Sequence, residues 1–200
     1  MIDQRRPSLL GQHLECHGEA VRQLERHLPT LERWAGELAA VLLCGGRLLT
    51  AGNGGSAAEA QHLSAELVGR YGRERRPLSA LCLHAETSSL SALANDYGWE
   101  VAYARQVHAH GRPGDVLLAL STSGESANLL AAVAAAQDLG LCTLALTGAA
   151  PNRLALACAE SVAISAPAPA VQEVHLLAVH LLCAGVDEAV VAAGAQESRG

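Results

Sequence analysis

The sequence predicts an α/β fold: a doubly wound, five-stranded parallel sheet flanked by helices and preceded by an N-terminal helical pair. Three observations carry this. Short apolar runs alternate with longer segments of helical periodicity, the pattern of strand–helix units in a parallel sheet. Two of those runs end in glycine- and serine-rich loops, Gly52-Asn53-Gly54-Gly55-Ser56 and Ser121-Thr122-Ser123-Gly124-Glu125-Ser126, each opening a helix. Half of the residues are hydrophobic while aromatics make up 2% and Phe is absent, so the core must be Leu, Val and Ala, which suits helices lying close on a sheet.

The elements follow in order. A first helix opens at Pro7-Ser8 and runs to Leu28, with Leu10, Leu14, His17, Val21, Leu24 and Leu28 in 4-3-4-3-4 spacing, a coiled-coil-like seam. Pro29 is expected to stop it, Thr30 to cap a second helix, and Gly45-Gly46 to end that one. This pair, residues 1–45, is not needed to build a sheet, and its seam suits another subunit. The core, residues 46–200, completes a single domain of 200 residues. Strands are expected at 47–51, 78–84, 115–120, 141–146 and 161–165. Helices are expected from Ser56, at 88–94, ended by Asn95-Asp96-Tyr97-Gly98, at 99–110, from Ser126 to Leu139, at 152–158, and at 171–193 after an APAPA turn. The last helix is the most apolar tract, but it holds His175, His180, Asp187 and Glu188, so it reads as a buried helix and not a membrane span.

A formal net charge of −6 and a pI near 5.8 argue against a nucleic-acid or acidic-membrane surface. The one basic run, RYGRERR at 70–76, reads as a solvated loop. The six cysteines form no C-x-x-C pair and several sit inside apolar runs, as small hydrophobes in a reducing, cytosolic compartment do. The first ten residues are charged and lack an apolar stretch, so no signal peptide is expected.

Both loops are suited to an anion. Glycines let the backbone approach, and the unpaired N–H groups of a first helical turn face the ligand with the positive end of the dipole. The chain has no Lys, and hydroxyls with helix amides hold a phosphate without one. The bland reading of Ser121, Thr122, Ser123 and Ser126 is an N-cap with polar neighbours; two such loops on one sheet favour a phosphorylated small molecule. Ser56 with Glu59 fits a capping box.

Along the helix from Ser56, His62, Glu66 and Arg70 recur every four residues and share one face, at intervals of roughly 6 Å. His and Glu at that spacing are either a satisfied surface pair or two ligands of one metal ion. The first loop also matches a dinucleotide fingerprint, G-x-G-x-x-A over 52–57. That reading needs an acidic residue about twenty positions on, and the nearest candidate, Glu86, lies more than thirty away.

With GNGGS, AEAQHLSAELVGR, ANDYG, STSGES and VQEVHLLAVH in order over almost the whole chain, the sequence resembles the sugar isomerase (SIS) domain. Within that group it is similar to the sedoheptulose 7-phosphate isomerases. The resemblance implies a cytosolic homotetramer with active sites at subunit contacts, interconverting sedoheptulose 7-phosphate and an aldose heptose 7-phosphate that feeds cell-surface glycans. It implies phosphate binding by Ser121, Thr122, Ser123 and Ser126, and a sugar lined by Asn53, Gly54, Gly55, Asn95 and Asp96 with Ser56, Arg70 and Gln172. It implies zinc on His62, Glu66, Gln172 and His180, and an acid/base pair of Glu66 and His180. The chain differs from the family pattern after Thr147-Gly148, where Ala149-Ala150-Pro151 replace a Gly-Gly pair, and at Pro169, where an Asp is frequent. A rival of another class is a non-catalytic regulator of the same fold; such members lose the helix carboxylate or the late histidine, and this chain keeps both.

Aldose–ketose isomerisation needs a base that reaches two adjacent carbons, a shuttle for the hydroxyl proton, and stabilisation of oxyanion character. Glu66 suits the first role, His180 the second, and a zinc ion the third. Gln172 and His180 stand about 80° and roughly 12 Å apart on one helix. They share an ion only if Gln172 lies in a loosened first turn and His180 leans back.

Overall fold

The computed structural model describes residues 8–197; Met1 to Pro7, and with them the expected helix start at Pro7, lie outside the described residues. Helices α1 (Leu9–Glu25) and α2 (Leu28–Leu43) lead into β1 (Leu48–Gly52) and α3 (Gly55–Val68). Then come β2 (Ala80–Cys82), α4 (Thr87–Tyr97), one 3-10 turn (Trp99–Val101) and α5 (Ala102–His110). The second half is β3 (Val116–Ser121), α6 (Ala127–Asp138), β4 (Cys142–Thr147), α7 (Arg153–Ala157), β5 (Glu160–Ala163) and α8 (Ala168–Glu197).

The five strands are all parallel, in the order β2-β1-β3-β4-β5. The order reverses direction between β1 and β3, and in an open α/β sheet the crevice at that switch point is where ligands bind. The two glycine/serine loops leave the carboxyl ends of these two neighbouring strands, with Gly52 paired to Leu120.

Strands buried on both faces read as unbroken apolar runs, and β3 is buried at every position. Its alternate side chains divide between two cores. Val116, Leu118 and Leu120 face a layer of α2, α3 and α8, together with Leu31, Trp34, Leu38, Leu63, Val174 and Val179. Leu117 and Ala119 face α5 and α6 through Tyr103, Val107, Leu129 and Val133. Small residues keep these layers tight, and the one polar side chain inside β1 is satisfied: Thr50 Oγ1 donates to the Ala60 carbonyl (2.9 Å) and lies 2.8 Å from Ser64 Oγ.

The apolar helix α8 is long and apolar enough to cross a membrane, with mean hydropathy 1.8 over Ala168–Gly194. It is a core helix instead, packed against α1, α2 and α3. The N-terminal pair is therefore partly intramolecular: Leu24 and the whole apolar face of α2 are buried, while Leu10 and Leu14 stay 78% and 70% exposed. Two helix starts differ from expectation for one reason. Pro29 does not stop a helix but sits in the first turn of α2, after His27 as N-cap, and Thr30 is inside that helix. Pro169 likewise lies in the first turn of α8, so the last three residues of the APAPA segment are helical. A first-turn proline forfeits only an N–H that has no partner there anyway. Asn95 and Asp96 also fall inside a helix, because α4 continues to Gly98, whose φ of 89° ends it. The six cysteines are free; burial pushes the Cys158 and Cys183 thiols up to about 12, as expected of small hydrophobes.

Candidate active site

Gly54 is the N-cap of α3, with a φ of 55° that a side chain would resist, and Gly55 is its first residue. A Cβ on Gly55 would lie 2.1 Å from Gln172 Nε2, so a larger residue here would displace the Gln172 amide from the cleft. The capping box is not formed. Ser56 sits one residue inside the helix and is buried, and Glu59 turns into the interior, 6% exposed, where its Oε2 has no partner. Burial pushes the Glu59 carboxyl up to about 7, partly opposed by a hydrogen bond from the Gln172 amide.

Gly55, Ala58, Glu59 and His62 of α3 face Gln172, Leu176 and His180 of α8 across a cleft of about 450 Å³. His62 Nε2 lies 3.0 Å from His180 Nε2, the rings edge to face at 71°, and 3.6 Å from Glu66 Oε1. Two turns of α3 and one position of α8 thus meet at one spot. Gln172 lines the same cleft from a regular helical turn, not a loosened one. Among the described residues, no group of three or more His, Cys, Asp or Glu side chains is clustered for metal binding.

The second loop is folded on itself. Ser121 Oγ accepts from Gly124 N (3.0 Å) and Ser123 Oγ from Glu125 N (3.2 Å). Ser126 is the N-cap residue of α6 but its hydroxyl makes no capping bond. Glu125 points away from the loop, its carboxylate accepting from Arg153 N (3.1 Å). The two loops are joined: Asn53 Nδ2 donates to Asn128 Oδ1 and Asn128 Nδ2 to Asn53 Oδ1, both at 2.9 Å. Tyr103 Oη donates to the Gly52 carbonyl at 2.6 Å.

The remaining expected residues are not in the cleft of one subunit. Asn95 and Asp96 are exposed and bonded to each other (2.8 Å), and Arg70 is exposed beside Glu74 (3.7 Å). Asn128, Tyr103 and Glu59 were not expected. Asn128 had one signal, an amide among the alanines and leucines of ANLLAAVAAAQD.

Residues 17–148 match the SIS domain family model. A phosphoheptose isomerase from Streptomyces coelicolor is 61% identical over 160 residues, 80% of this chain and 69% of that protein. The chain belongs to the phosphoheptose isomerase family of SIS-domain proteins. Solved members superpose closely: the phosphoheptose isomerase from Francisella tularensis has a TM-score of 0.84 at 33% identity, over 90% of this chain and 96% of that one. The one from Neisseria gonorrhoeae has a TM-score of 0.82 at 36% identity, over 90% and 97%.

Proposed function

We propose that this chain isomerises sedoheptulose 7-phosphate to D-glycero-D-manno-heptose 7-phosphate for heptose biosynthesis. The observation that carries it is the meeting of His62 with both Glu66 and, from the facing helix, His180, beside two linked strand-end loops. The second loop, with the hydroxyls of Ser121, Thr122, Ser123 and Ser126 and the N-terminal amides of α6, anchors the phosphate. The sugar runs from there past Asn53, Gly54, Gly55 and Ser56 toward the cleft. Glu66 removes the proton from C1 of the ketose, the enediol forms, and the proton returns at C2; His180 moves the hydroxyl proton between the two oxygens. Carbon is neither oxidised nor reduced overall, so no external electron carrier is needed.

Two imidazoles and a carboxylate are a zinc donor set; His62 Nε2 lies 3.0 Å from His180 Nε2 and 3.6 Å from Glu66 Oε1, although the three side chains do not close into a metal cluster as they stand. His62, Glu66 and His180 would hold the ion; Gln172, in a regular turn of α8, does not meet the condition for sharing it. When bound, it stabilises the developing oxyanion. The enzyme acts in the cytoplasm as a homotetramer whose sites lie at subunit contacts. The exposed Leu9, Leu10 and Leu14 support this, as does the exposure of Asn95, Asp96 and Arg70, which a neighbour would bring to the sugar. The test is turnover of sedoheptulose 7-phosphate with and without chelator. An inert protein with zinc supplied would reject the reading.

A further inference from the structure

The basic run after α3 is not the fully solvated loop its sequence suggests. Arg75 and Asp187 of α8 are paired at 2.5 Å, with side chains only 2% and 4% exposed. The other Asp187 oxygen accepts from the backbone N–H groups of Gly72 (2.9 Å) and Arg73 (3.2 Å). Arg75 also donates to the carbonyls of Leu67 and Glu66, both at 2.9 Å, at the free C-terminal end of α3. One ion pair therefore fastens three things together: the end of α3 at Glu66, the turn at 72–73, and α8 two helical turns beyond His180. The pair is shielded from water and both Asp187 oxygens are bonded, so the anchor holds the segment against α8.

Tyr71 stands on the segment so fastened. Its ring centroid lies 5.6 Å from that of His180, with the planes tilted by 34°, and it is 39% exposed. A ring this open adds little to the fold by burial. It packs against an imidazole that also meets His62. An imidazole on a half-open helix face has several rotamers, and a packed ring removes those that turn away.

We infer that Tyr71 is a positioning residue: the segment clamped by Arg75 and Asp187 holds its ring against His180, so that His180 Nε2 faces His62. This rests on the reading above, in which His180 moves the hydroxyl proton. A reacting group displaced slightly from its working position loses turnover before it loses substrate binding.

Tyr71→Leu is expected to lower kcat for sedoheptulose 7-phosphate at least about tenfold with KM within about threefold. Tyr71→Phe, which keeps the ring, recovers most of that loss. A crystal structure of metal-free Tyr71→Leu is expected to show His180 turned out of contact with His62. Asp187→Asn is expected to displace Tyr71 and reproduce the kcat loss; if it does not fold, Tyr71→Leu decides alone. Unchanged turnover in Tyr71→Leu, a loss confined to KM, or an unmoved His180 would overturn the inference. If the parent protein is inert toward the sugar, the isomerase reading fails by itself, and the position of His180 in the crystal still decides whether Tyr71 holds it.

Discussion

His62 and His180, separated by 118 residues, meet Nε2 to Nε2 at 3.0 Å. Two nitrogens at that distance share one proton, one donating and the other accepting, or they share a cation; two imidazoliums there would repel. Metal content distinguishes these states. Protein purified without added metal should carry zinc at a sizeable fraction of sites, and His62→Ala should lose it while staying folded. Elemental analysis that found stoichiometric zinc in that variant would place the metal elsewhere.

The amide pair of Asn53 and Asn128 makes a second prediction. Asn128→Ala removes three hydrogen bonds of about 1 kcal/mol each, two with Asn53 and one from Leu129 N–H, and unties the two loops. Asn128→Asp keeps the shape and one acceptor, but it cannot donate to Asn53 Oδ1 and it adds a negative charge beside the phosphate loop. The aspartate variant should therefore raise KM more than the alanine variant and weaken competition by inorganic phosphate further. Equal KM values for Asp, Ala and parent would mean the pair does not shape the phosphate site.

His175 sets part of the acid stability. It is 1% exposed, its Nε2 donates to the Thr147 carbonyl at 3.1 Å, and burial lowers it from the usual 6.5 to about 4, partly opposed by that bond. The unfolded chain thus takes up this proton below about 6.5 and the folded one only near 4. Stability is intact above that window and falls as pH drops through it, by an amount on the order of 3 kcal/mol. His175→Gln keeps a donor and does not titrate, so its denaturant midpoint should fall less between pH 6.5 and pH 4. Parallel curves for parent and variant would sink this.

The exposed row on α1 concerns assembly. Leu10 and Leu14 are 78% and 70% exposed while the same seam is buried by Leu24. Such a row of exposed leucines supports the proposed contact with another chain. Leu10→Glu with Leu14→Glu should shift light scattering from a tetramer mass to a smaller species. A parent that is already monomeric at micromolar concentration would refute the assembly.

How much of this was legible beforehand depended on the kind of signal. The strands and both loops could be read because apolar runs and glycine turns are local. Helix starts were misread where a first-turn proline resembles a stop, as at Pro29 and Pro169. His62 and Glu66 were visible as an i, i+4 pair, but nothing local says that His180 meets them, and only the resemblance supplied that. Glu59 was misassigned because the capping box competes with a start one residue earlier, where Gly54 adopts positive φ and turns Glu59 inward. Asn128 and Tyr71 act across the chain, and a partner that is distant in sequence leaves no periodic trace.

The last prediction concerns the proton transfers. Glu66 projects from the helix that the first loop opens, and His180 reaches over from α8, so base and shuttle both contact His62 at the cleft. Glu66→Gln preserves shape and possible ligation but removes the base; His180→Asn removes the shuttle. General acid–base groups contribute about 10²–10⁴-fold, roughly 3–5 kcal/mol of barrier, and each variant should lose at least the lower figure with little change in melting temperature. His175, five positions earlier on α8, points to Thr147 instead. His175→Asn should lose far less turnover and show its cost in thermal stability, since the shorter side chain gives up its buried bond to that carbonyl, which keeps only the Ile164 N–H. Steady-state kinetics with thermal melts on all three variants separates the roles. Near-parent turnover by Glu66→Gln would show that the base is another group. Inertness of the parent itself would put a phosphosugar-sensing regulator in the enzyme's place.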